Sequence, residues 1–196
     1  MIIITTSRRP KPPTRILCKF LTNLIPNSIK FNRGRSSLKD LIIKANELNS
    51  NLIILIDSLK GNPSRIRFFK IDGIEGKFHP LEIYIQGTFL GYEKLKRKIV
   101  NKNSKIEIRA IQKDKKITLL GENLAQIFNT NFIISPLPLK KINYRNGIKH
   151  ETPIKSSEKL IYIYLIKINS KINIIFCKKN LEMLGPRIII KDFKLK

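Results

Sequence analysis

The chain has no tryptophan, two cysteines, two histidines and only 14 acidic residues against 39 basic ones. Each shortage excludes something. Cys18 and Cys177 stand far from each other and from His79 and His150, so neither a disulfide framework nor a metal-ligand spacing can be assembled, and both thiols read as buried and inert. The lack of tryptophan favours recognition of a partner by shape and backbone over extensive stacking on bases. No apolar run approaches the roughly 18 residues of a membrane-spanning helix, and Met1 leads straight into strand-like residues. A soluble, cytoplasmic protein with no membrane partner is therefore expected. There is no dinucleotide or P-loop glycine fingerprint, no paired carboxylates and no histidine beside a nucleophile. No cofactor, small-molecule substrate or catalytic activity is expected. His79, before Pro80, and His150, beside Glu151, read as solvated loop residues.

What the chain does have is positive charge, +25 in 196 residues, which points to nucleic acid or to an anionic membrane surface. Lysine is spread along the whole chain with isoleucine and asparagine, a mixture that compositional bias alone produces. Arginine is distributed differently. Seven of the eleven, Arg8, Arg9, Arg15, Arg33, Arg35, Arg65 and Arg67, lie in the first 67 residues, and the planar guanidinium suits phosphates and base edges. Eight Lys or Arg residues fall between Ile2 and Arg35, ahead of the first carboxylate, Asp40. The length suits one compact domain or two small halves around a shared core.

Ile2 to Thr6 is an apolar run suited to a buried strand. A proline-rich loop follows, and Thr14 is positioned to cap a helix carrying Ile16, Leu17, Phe20, Leu21, Leu24 and Ile25 at helical spacing, ended by Pro26. Free amides at that helix start, with cations around them, make a phosphate seat; the competing reading is a solvated connection. Ile29 to Phe31 reads as a strand, Asn32 to Arg35 as a turn, and Ser37 to Asp40 as a capping box that opens a helix through Leu48. Leu52 to Ile56 is a further strand, so the order implies an α/β layer with right-handed crossovers.

After a turn over Asp57 to Pro63, Arg65, Arg67 and Phe69 alternate onto one face of a strand from Ser64 to Ile71, either to meet RNA or as a half-exposed edge strand. Asp72 to Lys77 marks the expected division into halves, 1–76 and 77–196. Beyond it, strands are read at Leu81 to Gln86, Ser104 to Ile111, Lys115 to Leu120, Leu160 to Ile168, Ile172 to Lys178 and Ile188 to Phe193. One helix is read at Glu122 to Phe128, and Gly185-Pro186-Arg187 opens the last strand. The first half thus reads as parallel α/β and the second as more antiparallel. Tyr92 to Lys102 reads as a short basic helix or a solvated connection, and Lys140, Lys141, Arg145 and Lys149 as a basic tract with no legible element.

Five segments then stand out in order: Thr5-Thr6-Ser7-Arg8-Arg9-Pro10 with Thr14-Arg15-Ile16-Leu17-Cys18; Ile25-Pro26-Asn27-Ser28; Arg33-Gly34-Arg35 with Leu38-Lys39-Asp40-Leu41; Lys60-Gly61-Asn62-Pro63; and Gly185-Pro186-Arg187. Together they resemble the Brix domain of ribosome-assembly factors, and the short length is similar to the minimal archaeal members. The resemblance implies an α/β fold of two structurally related halves, each similar to the anticodon-binding domain of class IIa aminoacyl-tRNA synthetases. It also implies a non-catalytic ribosome-biogenesis factor, closest to the family's small-subunit processing factor. Its partners would be precursor ribosomal RNA and other assembly proteins, with the chain monomeric when free and cytoplasmic, or nucleolar in a eukaryote.

Ligands of open α/β sheets sit outside the carboxyl ends of the strands. RNA contacts are therefore expected from Arg8, Arg9, Lys11 and Arg15 at the first loop, Arg33 and Arg35 at the second, and Lys60, Arg65 and Arg67 at the third, with Arg187 joining from the second half. No metal ligand or catalytic residue is assigned. The alternatives are a basic module that recruits acidic assembly partners, an RNA-binding component of the mature ribosome, or an RNA-processing enzyme.

Overall fold

The computed structural model describes residues 1–73, 75–90, 100–135, 158–178 and 183–195. Its elements are β1 (Ile2–Thr6), α1 (Pro12–Leu24), β2 (Ser28–Lys30), α2 (Leu38–Glu47), β3 (Leu52–Leu59), β4 (Asn62–Asp72), β5 (Glu75–Phe89), β6 (Val100–Ala110), α3 (Lys115–Phe128), β7 (Phe132–Ile134), β8 (Glu158–Ile168), β9 (Lys171–Cys177) and β10 (Met183–Leu195). The strands form one mixed ten-stranded sheet in the order β2-β1-β3-β4-β5-β10-β9-β8-β6-β7.

β1 lies parallel between β2 and β3, and β3, β4 and β5 pair antiparallel. The other side has the same arrangement: β6 lies parallel between β7 and β8, and β8, β9 and β10 pair antiparallel. β5 and β10 join the two sides. The second half is therefore no more antiparallel than the first. Strands close in sequence suggest hairpins, whereas β6 finds its main partner, β8, across a long crossover.

Lys115 to Leu120, read as a strand, opens α3. Asp114 caps this helix, its carboxylate accepting from the amides of Lys116 (2.9 Å) and Ile117 (3.2 Å). Ile117, Leu120, Leu124 and Ile127 then return to the core at helical spacing. α1 begins earlier than expected. Pro12 and Pro13 open it, because their fixed φ suits a first turn, and Thr14 is buried inside that turn, accepting from the Ser58 hydroxyl at 3.0 Å. The Ser37 and Asp40 capping box of α2 is present, with both reciprocal bonds.

The chain steps one way from β1 to β2 and back across β1 to β3, so crossovers of a single hand place α1 and α2 on opposite faces. Ile4, Ile54 and Ile56 meet Leu17, Cys18, Leu21 and Leu24 of α1, while Ile3, Ile53 and Phe69 meet Leu41 and Ala45 of α2. α3 lies on the α1 face, and one continuous core runs beneath both helices. β4 is an interior strand between β3 and β5, not an edge.

The expected turn over Asp57 to Pro63 shrinks to Lys60-Gly61, both at positive φ (48° and 89°), because β3 continues to Leu59. Asp72 pairs with Glu75 at the β4–β5 turn. His79 is not a solvated loop residue: it sits in β5, 8% exposed, with Nδ1 accepting from the Leu81 amide at 3.1 Å. Gly185-Pro186-Arg187 lies inside β10, which starts at Met183. Cys18 and Cys177 are both buried, and among the described residues neither forms a disulfide. Residues 92–99 of the Tyr92 to Lys102 segment, and Lys140, Lys141, Arg145, Lys149 and His150, lie outside the described residues.

Candidate nucleic-acid interface

β1, β2 and β3 are parallel, so the segments that follow them leave the sheet at the same end. Hydrogen bonds tie these segments together. The Ser7 amide donates to Ile56 O at 2.9 Å, the Ser7 hydroxyl to Ser58 Oγ at 3.2 Å, and the Thr5 hydroxyl to Phe31 O at 2.8 Å. A Cβ on Gly61 would lie 3.8 Å from Lys11 Cγ, so the first and third loops touch. Arg8, Arg9, Lys11, Arg15, Arg35 and Lys60 are all exposed around this end.

Arg33 is half-buried among them, its Nε donating to Ser36 O at 3.1 Å. Burial first, then the charges of Arg8 and Arg67, push its pKa below the ordinary arginine value, with Asp57 acting in the opposite sense. Cations crowded closely enough to repel one another gain from an anion placed between them. The backbone contributes little to such a seat. Pro12 and Pro13 carry no N–H, and the amides of Thr14 and Arg15 donate to Lys11 O at 3.1 and 3.2 Å. The expectation of free amides is thus corrected at the first two amides of the helix, Thr14 and Arg15, which are already engaged.

Arg65 and Arg67 are placed differently. The Asp57 carboxylate accepts from Arg65 Nε and Arg67 Nε, both at 2.9 Å, and from Arg67 Nη2 at 3.0 Å. Arg65 Nη1 donates to Glu82 at 3.2 Å, and the Tyr84 hydroxyl donates to the same carboxylate at 2.7 Å. The Arg67 guanidinium lies 4.7 Å from the centre of the Phe78 ring. Two arginines facing two carboxylates leave this patch without net charge. Sequence reasoning missed Asp57, although the signal was present: Asp57 and Arg65 stand opposite each other across a hairpin.

Arg187 pairs in register with Phe89 of β5, its guanidinium 4.1 Å from the ring centre and its Nε buried without a hydrogen-bond partner among the described residues. Phe89 ends β5, and Gly185, two residues before Arg187, packs on Leu24 at the end of α1, with β4 and β5 between β3 and β10. The structure thus gathers the cations of the first, second and third loops, holds Arg65 and Arg67 in an ion-pair network beside them, and sets Arg187 apart. Among the described residues no helix is long and apolar enough to cross a membrane.

No family model matches the sequence. The chain is 34% identical over 178 residues to a probable Brix domain-containing ribosomal biogenesis protein of Sulfurisphaera tokodaii, covering 88% of this chain and 96% of that one. It is 32% identical over 91 residues to a protein of the same description from Aeropyrum pernix, 46% of this chain and 51% of that one. In fold it is similar to the crystal structure of a probable ribosomal biogenesis protein from Aeropyrum pernix, with a TM-score of 0.74 at 18% identity over 100% of this chain and 98% of that one. It is also similar to Mil, an archaeal Imp4-like protein, with a TM-score of 0.60 at 17% identity over 99% of both chains. Since a third of the residues are shared along nearly the whole of both chains in the first of these comparisons, the chain belongs to the family of Brix domain-containing ribosomal biogenesis proteins.

Proposed function

We propose that this chain is a non-catalytic assembly factor that binds precursor ribosomal RNA, holds it in one conformation during small-subunit maturation, and then leaves. The observation that carries this reading is the cluster Arg8, Arg9, Lys11, Arg33, Arg35 and Lys60 at the carboxyl ends of three parallel strands, where open α/β sheets take their ligands. Phosphate contacts supply most of the affinity; Arg15 extends the surface along the same end, and Arg187 is a further contact from the second half. Arg65 and Arg67 act through shape: their pairing with Asp57 and Glu82 fixes the strands that carry the loops. His79 has its Nδ1 engaged with the backbone, which supports a role without acid–base chemistry.

Other assembly proteins are the proposed protein partners, with the factor monomeric when free and cytoplasmic. We also propose that the sheet consists of two related halves, each resembling an anticodon-binding domain of class IIa synthetases. The division expected at residues 76 and 77 falls two residues into β5; a cut after β5 would give both halves the same strand order.

The test is binding of a precursor ribosomal RNA fragment across a salt series. Combined Arg8→Ala, Arg9→Ala and Arg15→Ala should weaken binding and reduce the salt slope by about two to three units, one per lost contact. Unchanged affinity and slope would remove this surface from the function. Sedimentation of the protein with immature particles and not with finished subunits is the expected cellular counterpart.

A further inference from the structure

On the α2 side of the sheet, α2 packs on Ile3, Ile53 and Phe69. Arg65 and Arg67 alternate along β4 with the core residues Ile66 and Phe68, so they share the Phe69 side. On β5, Leu81, Ile83 and Ile85 enter the core beneath α1 and α3, which turns Glu82 and Tyr84 to the α2 side. Here the surface is open: Phe78 is 37% and Phe89 58% exposed. Strict alternation from Tyr84 would send Phe89 to the opposite side. β5 avoids this with one extra residue, because Ile190 lies opposite Ile85 and the adjacent Ile189 opposite Gly87, leaving Gln86 without a counterpart on β10. Such a bulge re-aims the side chains beyond it. Leu90 then packs on the core, and Phe89 stands on the same side as Tyr84 and as Phe78, whose ring meets Phe69 at 4.9 Å.

Each of these three rings carries a cation. Arg67 lies 4.7 Å from the centre of Phe78, Arg65 and Lys194 Nζ lie 5.9 and 5.6 Å from that of Tyr84, and Arg187 lies 4.1 Å from that of Phe89. Asp57 and Glu82 already hold Arg65 and Arg67, so these two offer little charge to a phosphate or to an acidic protein. They offer planes instead. Unpaired bases stack on aromatic rings and guanidinium planes, and since every base has a π-face, a row of such planes selects single strands without selecting sequence. At about 3.3 Å per residue, Phe78 and Phe89 stand roughly 35 Å apart along β5, which leaves room for several nucleotides.

We infer that the open side of β5, from Phe78 past Tyr84 to Phe89, is a stacking platform for the unpaired bases of an RNA strand. The inference rests on the RNA-binding function proposed above and adds base contacts to the phosphate contacts of the arginine loops. The test compares a single-stranded RNA of about ten nucleotides with an abasic strand of the same length, which keeps the phosphates and lacks the bases. Wild type should bind the base-bearing strand more tightly. Phe89→Ala and Phe78→Leu should each weaken that binding about 5- to 100-fold, with its salt slope and the affinity for the abasic strand unchanged. Phe89→Tyr keeps a ring and should bind as wild type does. Phe89 is the more exposed of the two rings, so its removal spares the fold, and a thermal melt of each variant verifies this. Equal affinity of wild type for the two strands, or unchanged binding in both phenylalanine variants, overturns the inference, returns the rings to a protein partner and leaves the arginine loops standing. No binding by wild type to either strand overturns both.

Discussion

A Cβ added to Gly185 would lie 2.1 Å from Cδ1 of Leu24. Leu24 closes α1 and is fully buried, while Gly185 lies in β10, so this contact joins the first helix to a strand from the far part of the chain. It accounts for the glycine of the Gly-Pro-Arg segment without reference to any ligand. Gly185→Ala should destabilise the protein by about 1–3 kcal/mol through overpacking. Leu24→Ala in the same chain should recover part of that loss, and denaturant melts of the four proteins in a double-mutant cycle would measure the coupling. Strict additivity would mean that the clash is relieved elsewhere in the core.

Asp57 holds two guanidinium groups at once, and its removal separates folding from charge. Asp57→Ala should cost about 1–3 kcal/mol, because partly buried charge-assisted hydrogen bonds are lost and two arginines are left facing Glu82 alone. The same change releases cations toward solvent beside the first-loop surface. RNA binding at low salt should then strengthen and its salt slope steepen by about one unit. A variant that loses stability and RNA affinity together would show that Arg65 and Arg67 bind RNA only in their paired geometry.

Local signals in the sequence suffice where a segment decides its own structure. β1, the Ser37 capping box and the β8–β9 hairpin follow from apolar runs, a cap and a two-strand pattern, each contained within a few residues. They do not suffice where distant partners decide. Lys115 to Leu120 has too few turns to separate helix from strand by periodicity, and Asp114 as a cap settles it. β4 looks like an edge until β5 covers it. At the candidate site the positions of the loop cations were legible from the βαβ order. The neutralisation of Arg65 and Arg67 was not, because it depends on Glu82 from a third strand as well as on Asp57.

Acid should weaken the fold in two stages. Burial first, then the charge of Lys70, hold the His79 pKa below its ordinary 6.5. The unfolded chain therefore binds the proton more readily, and stability falls as the pH drops below about 6.5, levelling off under the folded value. Asp40 and Asp114 form the second stage. Hydrogen bonds from Ser37 lower the pKa of Asp40, and those from Lys167 and Ile117 lower that of Asp114, both below the ordinary 3.8. Their contribution is present above that value and lost as the pH falls through the depressed one. Urea midpoints from pH 8 to pH 3 should show both stages, and His79→Gln should remove the first alone. Persistence of the first stage in that variant would assign it to another group.

Cys18 offers a direct reading of how tightly α1 is held. Its side chain is fully buried, its Sγ donates to Ile4 O at 3.6 Å, and burial pushes its pKa up to about 12, against the opposing effects of Lys30 and a hydrogen bond with Thr22. At pH 8 only about one thiol in ten thousand would be ionised, and the thiolate is the reactive form. An aromatic disulfide reagent should therefore leave Cys18 unmodified in the native protein and react with it in guanidinium. In the native state its slow modification must pass through opening of the core between α1 and β1, so the rate should follow the population of open molecules. Gly185→Ala presses on the last residue of that same helix, and a loss of one to two kcal/mol should raise the rate about 5- to 30-fold. Peptide mapping by mass spectrometry would separate Cys18 from Cys177. Rapid modification of Cys18 in the wild type, or a rate indifferent to Gly185→Ala, would mean that α1 opens locally without disturbing its contact with β10.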